Sequence, residues 1–156
     1  MTGALVISLD FELLWGVRDH SDKSSPYAQN ILGGREAIPQ ILELFERRAI
    51  SATWATVGFL FCESKEELIA NQAARIPSYS KQSLSNYSYV EEVGENEQLD
   101  PYYFAPSLIK VISETPGQEI ATHTLSHYYC LEEGQTDEEF EADLEATINL
   151  SVAKGH

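Results

Sequence analysis

Four side chains at the ends of two apolar runs could do chemistry together. The first run, Ala4 to Leu9, leads into Asp10-Phe11-Glu12; the second, Gly117 to Thr122, leads into His123-Thr124-Leu125-Ser126-His127. On a strand, residues i and i+2 share a face and lie about 6.6 Å apart along the axis, so both acids point the same way. Carboxylates ending an apolar strand are costly unless hydrated, paired or bound to a cation; otherwise they cap the next loop and face solvent. His123 and His127 are two of four histidines. At i and i+4 on a helical turn their Cβ atoms lie roughly 5–6 Å apart. That is close enough for two neutral ring nitrogens to share one ion at about 2.0–2.1 Å each, although the same spacing also arises on a solvated turn. Two imidazoles and a carboxylate with an open position make the ligand set of a catalytic zinc or related divalent site. A second carboxylate is then free to take a proton from water.

This chemistry requires both clusters on one rim, and the element pattern supplies one. Residues 4–10 read as a strand covered on both faces. A polar loop follows from Arg18 to Gly34, then a helix from about Arg35 to Arg48 with Pro39 in its first turn. Ile50 to Val57 reads as a strand closed by Gly58, and residues 63–75 as a helix with Ser64 as N-cap. From Ile76 to Tyr103 no periodicity lasts, which marks a long loop or insertion at about 76–104. Its tyrosines, Tyr79, Tyr87, Tyr89, Tyr102 and Tyr103, could stack on sugar rings or simply pack. Pro106 opens a helix to about Thr115, Pro116-Gly117 breaks it, and the strand to His123 begins. The run after His123 reads mostly as helix as far as Leu150. Thr136 and Glu139 form a capping box for the last helix, which stops near Lys154-Gly155. Alternation of this kind implies a parallel sheet with helices packed outside it, in which sites gather at the carboxyl ends of the strands.

Composition bounds the function. The 156 residues carry 25 acids against 10 lysines and arginines, a formal charge of −15, which argues against nucleic acid or an anionic membrane as partner. No apolar run approaches the roughly 20 residues of a membrane span, and no signal peptide is visible, so a cytoplasmic location is expected. Cys62 and Cys130 read as buried free thiols. The acids from Glu132 to Glu145 alternate with Phe140, Leu144 and Ile148 and read as the solvated face of an amphipathic helix. Thr124 and Ser126 read as surface polar positions, His20 as exposed, and His156 as a terminal residue without a role.

Three segments, Leu5 to Glu12, Ser51 to Gly58 and Gly117 to His127, together resemble the polysaccharide deacetylase family, the NodB-homology or carbohydrate esterase 4 fold. The resemblance runs from residue 4 to the end of the chain. It implies an α/β fold, a partial distorted (β/α) barrel with parallel strands and outer helices, and residues 1–156 as a single incomplete domain of that kind. It implies Asp10 as the general base and Glu12, His123 and His127 as metal ligands. The commonest family pattern has two adjacent aspartates where this chain has Asp10-Phe11-Glu12. The implied cofactor is a divalent ion, zinc foremost, with cobalt, manganese or nickel compatible; the implied substrate is a carbohydrate bearing an N-acetyl group. The family's later motifs, including its proton-donating histidine, are not among these residues, so weak activity or none is expected of this chain. A related amide or ureide hydrolase on the same scaffold, or a non-catalytic binding module that kept the fold, remain as alternatives.

Overall fold

A computed structural model describes residues 3–156. Three short parallel strands, β1 (Ser8–Phe11), β2 (Ala52–Thr56) and β3 (Gln118–Thr122), pair in the order β1-β2-β3, with Asp10 opposite Ala55 and Trp54 opposite Ile120. The helices are α1 (Ala28–Arg48), α2 (Lys65–Ala70), α3 (Pro106–Glu114) and α4 (Asp137–Ala153), with 3-10 turns at Leu13–Gly16, Gly58–Phe61, Gln82–Leu84 and Asn86–Glu92. The fold is therefore α/β, and the sheet does not close into a barrel.

Strand pairing puts side chains of like register on one face. Ala52, Trp54 and Thr56 of β2 are buried while Thr53 and Ala55 are partly exposed. The Trp54 side joins Phe11, Ile38, Leu42, Ile109 and Ile112 in the main core. The opposite face carries Ser8 and Asp10, Thr53 and Ala55, Glu119 and Ala121. Two of these polar groups meet there, Thr53 Oγ1 donating to Glu119 at 2.7 Å.

Several expected boundaries move, each for a physical reason. The first strand is confined to Ser8–Phe11, and Leu5 and Val6 are 88% and 81% exposed rather than covered on both faces; among the described residues β1 is an edge strand and none packs over Leu5 and Val6. Helix α1 begins at Ala28, so Gly33, Gly34 and Pro39 lie within it instead of in a loop or its first turn. The buried stripe of Ala28, Ile31, Ile38 and Leu42 outweighs the weak propensity of glycine and proline. Helix α2 is short because the chain turns away after Ala70. The N-cap at Ser64, the capping box of Thr136 with Glu139, and Pro106 at the first turn of α3 all form as the local signals dictate. The last helix carries a different face from the one its spacing suggested: Asp143, Thr147 and Leu150 are buried, and Ile148 is exposed. Cys62 is buried, but Cys130 is exposed in the loop before α4.

The segment from 76 to 104 is packed by its own aromatics. Tyr79 and Tyr103 are buried, so they are not free to stack on a ligand; Trp15 lies 4.6 Å from Tyr103 between ring centroids, and Tyr89 sits beneath the Arg18 guanidinium at 3.6 Å. No helix among the described residues is long and apolar enough to cross a membrane.

One close approach controls how β2 meets the segment after β3. The Gly58 N–H donates to Thr124 at 2.8 Å and Phe59 N–H to Leu125 at 3.0 Å. A Cβ at position 58 would fall 2.9 Å from the Leu125 Cα. Gly58→Ala is expected to lower unfolding free energy by about 1–3 kcal/mol, the usual cost of overpacking against backbone, as measured by urea denaturation.

Candidate metal centre

The three strands end at a common rim, and the residues after β1 and β3 meet across the end of β2. Glu12 leaves β1 and begins the Leu13–Gly16 turn, in which Trp15 N–H donates to the Glu12 carbonyl at 3.1 Å. The turn is entered through Leu13 at φ 48°, a left-handed conformation costly for a branched side chain. Its last residue, Gly16, lies directly under the Glu12 carboxylate: a Cβ there would fall 1.9 Å from Glu12 Cδ. The absent side chain at position 16 is the space the carboxylate occupies.

The histidine segment is a braced loop, not the start of a helix. His123 N–H still extends the sheet by donating to Thr56 at 2.9 Å, after which Thr124 (φ 63°) and His127 (φ 56°) both turn left-handed. Helix starts only at Asp137. Thr124 Oγ1 accepts from Tyr128 N–H at 2.7 Å, closing the turn between the two histidines. Asp143, 1% exposed on α4, accepts from Leu125 N–H and Ser126 Oγ, each at 2.6 Å. Ser126 is thus a buried strut rather than a surface group, and Thr124, partly exposed, braces the turn through its hydroxyl. Burial pushes the Asp143 carboxyl up, against the pull of the donors it accepts from. Tyr79 Oη accepts from Tyr129 N–H at 2.8 Å and holds the exit of the loop.

Within this frame the Glu12 Oε2 atom lies 3.4 Å from His123 Nε2 and 3.1 Å from His127 Nε2, and one ligand atom of each residue falls within 4.8 Å of the others. Bonds of about 2.0–2.2 Å to a tetrahedral ion would set ligand atoms about 3.4 Å apart. The donor set, two imidazole nitrogens and a carboxylate oxygen, is that of a three-ligand catalytic zinc site. The residues present therefore fit a divalent ion. Asp10 is exposed on the same sheet face, and its charge acts on His123. An open cleft of about 270 Å³ between β1 and α1 has Asp10 and Glu12 in its lining, with walls of Leu9, Phe11, Tyr27 and Ile41.

The other two histidines take no part. His20 is exposed against Asp19 at 2.6 Å, and the His156 ring packs on Phe61. Gly16 and Asp143 also belong to the site, and the chemistry-bearing motifs of the sequence do not include them. Asp143 had a signal: Phe140, Asp143, Thr147 and Leu150 share one helical stripe, and an acid in a stripe that is otherwise apolar or small implies a buried partner. Gly16 had none beyond its being a glycine four residues from an acid.

The electrostatics favour a preformed cluster. The imidazoles beside it, that of His123 first, draw the Glu12 carboxyl down from 4.5 to about 2 against the opposing effect of burial. The same contact raises His123 above 6.5, with the Asp10 charge adding to it. The lowered Glu12 stabilises the fold above pH 4.5, and that contribution is lost as pH falls toward 2. The raised His123 contributes fully below pH 6.5 and loses its contribution as pH rises through its folded value. The ion-free cluster is thus most stabilising between these limits, whereas metal binding requires neutral imidazoles. Zinc affinity is expected to rise from pH 6 to pH 8 with release of protons, measured by calorimetry in buffers of different ionisation enthalpy.

Gly16→Ala tests the placement of the carboxylate. The clash falls on the mobile end of a side chain rather than on backbone, so the ion-free thermal midpoint is expected to fall only by what the Glu12–imidazole contact contributes, while zinc affinity falls at least tenfold as Glu12 swings away. Retained affinity would show that the carboxylate is not held over position 16.

Comparison with models of protein families, with curated proteins and with solved structures finds no significant match to this chain.

Proposed function

We propose that this chain is the metal-binding part of a metal-dependent hydrolase that removes an N-acetyl group from a carbohydrate, a polysaccharide or sugar-precursor deacetylase. The observation that carries this reading is the convergence of Glu12, His123 and His127 at one strand rim, with Asp10 free on the same face. The resemblance of the three segments to polysaccharide deacetylases supplies the substrate class. The three parallel strands, their unshared outer edges and the polar face of Ser8, Asp10, Thr53 and Glu119 support a finer fold reading, in which the sheet is an arc of a distorted (β/α) barrel. A cytoplasmic setting is proposed with it, in keeping with two unpaired cysteines.

Glu12, His123 and His127 would hold the ion through Oε2 and the two Nε2 atoms. When bound, a divalent ion supplies Lewis acidity, polarising an acyl oxygen and bringing the pKa of water to about 7. Asp10 takes the proton of the attacking water as the C–O bond forms. Loss of the sugar amine breaks the C–N bond and needs a proton on nitrogen; the separate donor that the resemblance implies is not among these residues, so turnover is expected to be slow. The cleft between β1 and α1 flanks the carboxylate side of the centre, at Asp10 and Glu12, and is not lined by either histidine.

The test is metal content and acetate release on one preparation. Purified protein is expected to carry one divalent ion per chain and to release acetate from N-acetylglucosamine oligomers slowly and in a chelator-sensitive way. Asp10→Asn is expected to keep the ion and lose activity about 10²-fold or more; His123→Ala is expected to lose both. Release of product from simple amides or ureides but not from N-acetyl sugars would move the reading to the related amide hydrolase. No bound metal, with a thermal midpoint unmoved by added zinc, would remove it.

A further inference from the structure

Taking Glu12, His123 and His127 as the ligands, we infer that Asn86, in the segment between α2 and α3, is a positioning residue that sets the separation between the carboxylate side and the imidazole side of the centre. The need for such a residue follows from the sheet. β1 and β3 are not neighbours; β2 lies between them, so the two ligand-bearing segments start two strand spacings apart, about 9.6 Å. No strand hydrogen bond joins them. Beyond the end of β2, Val57 N–H donates to Phe11 on one side and Gly58 and Phe59 N–H to Thr124 and Leu125 on the other, but a direct tie between the two ligand-bearing segments has to come from another part of the chain.

Asn86 makes that tie with a single atom. Its side chain is 4% exposed, and Nδ2 donates to the Trp15 carbonyl at 2.9 Å and to the Ser126 carbonyl at 2.8 Å. Trp15 lies in the turn that carries Glu12 and bonds back to the Glu12 carbonyl; Ser126 immediately precedes His127. The chemistry demands a primary amide. Two N–H groups in one plane satisfy two buried carbonyls at once, which a hydroxyl or carboxylate cannot do. Exchanging Oδ1 and Nδ2 would set an oxygen against two carbonyl oxygens, so the orientation is determined by its partners.

The rest of the segment grips the same two elements. Leu14 N–H donates to Tyr102 at 3.1 Å and Trp15 Nε1 to Tyr103 at 3.0 Å, while Tyr79 Oη accepts from Tyr129 N–H. Residues 79–103 therefore run from the exit of the histidine loop to the turn after Glu12, with Asn86 bridging both. This gives the aperiodic segment a task its composition did not disclose: it is the clasp of the metal centre.

The experiment titrates zinc into the whole 156-residue chain by calorimetry and records the electronic spectrum of the cobalt-substituted protein. Wild type, Asn86→Ala and the core variant Leu68→Ala are compared. Asn86→Ala is expected to bind zinc about 10–100-fold more weakly, on the scale of losing a residue that orients a ligand, here through the backbone next to His127 and the turn after Glu12, and to show an altered cobalt ligand-field band. Leu68→Ala, destabilised through the core alone, is expected to keep the wild-type affinity and spectrum. Should Asn86→Ala fail to fold, Asn86→Ser, which keeps one donor, is read in the same way. A folded Asn86 variant with wild-type affinity and cobalt spectrum overturns the positioning role and leaves the ligand set standing. A wild-type chain that takes up neither ion overturns the ligand set and the positioning role with it.

Discussion

The Glu12 carboxylate sits between two imidazole nitrogens that arrive from the far side of the sheet, across the whole width of β2. Strand pairing alone cannot bring these groups together, because β1 and β3 each pair with β2 and not with each other. The contact therefore depends on elements whose only shared property is that they border the rim: the turn after β1, the loop after β3, the first residues after β2, and the aperiodic stretch between α2 and α3. Removing the side chain at position 16 makes room for the carboxylate. The Gly58 N–H draws the histidine loop down onto the end of β2.

Such an arrangement has costs that the surroundings must offset. Leu13, Thr124 and His127 all adopt left-handed backbone, and among the described residues three of the four non-glycine residues with positive φ thus lie at the centre; the fourth, Ala49, ends α1. Each is an unfavourable local choice of order 1–3 kcal/mol. The offset is a set of buried, satisfied polar contacts, with Asp143 accepting two donors from the loop and Asn86 donating to both sides. Polar networks of this kind stabilise only when every member is paired. Strain concentrated at the ligands and satisfaction concentrated beneath them divide the labour between two shells of residues.

The sequence discloses the first of these shells far better than the second. Asp10, Glu12, His123 and His127 stand out because metal-binding side chains at the ends of apolar runs are chemically expensive and hence informative. Parallel strands with intervening helices follow from the alternation of patterns, and the ends of β2 and β3 come within a residue or two. Asp143 is hidden because acids on an amphipathic helix ordinarily face water; only its place in the stripe with Thr147 and Leu150 distinguishes it. Asn86 is hidden more deeply, since its partners are backbone carbonyls, which leave no trace in residue types. The loop between the histidines is not legible as a loop, because i, i+4 spacing serves a helical turn and a tight left-handed loop equally well.

The outer edge of β1 has a consequence for how the chain behaves in solution. Among the described residues β1 pairs only with β2, and Leu5 and Val6 just before it lie open. An unpaired edge with apolar neighbours is a template for another strand. Working against it is the acidic excess of the whole chain, fifteen formal charges that make two copies repel. Repulsion of this sort is long-ranged only in dilute salt, fading beyond about 10 Å at 0.1 M ionic strength. Colloidal stability thus rests on a force that ordinary buffers screen, while the adhesive edge it guards is unaffected by them.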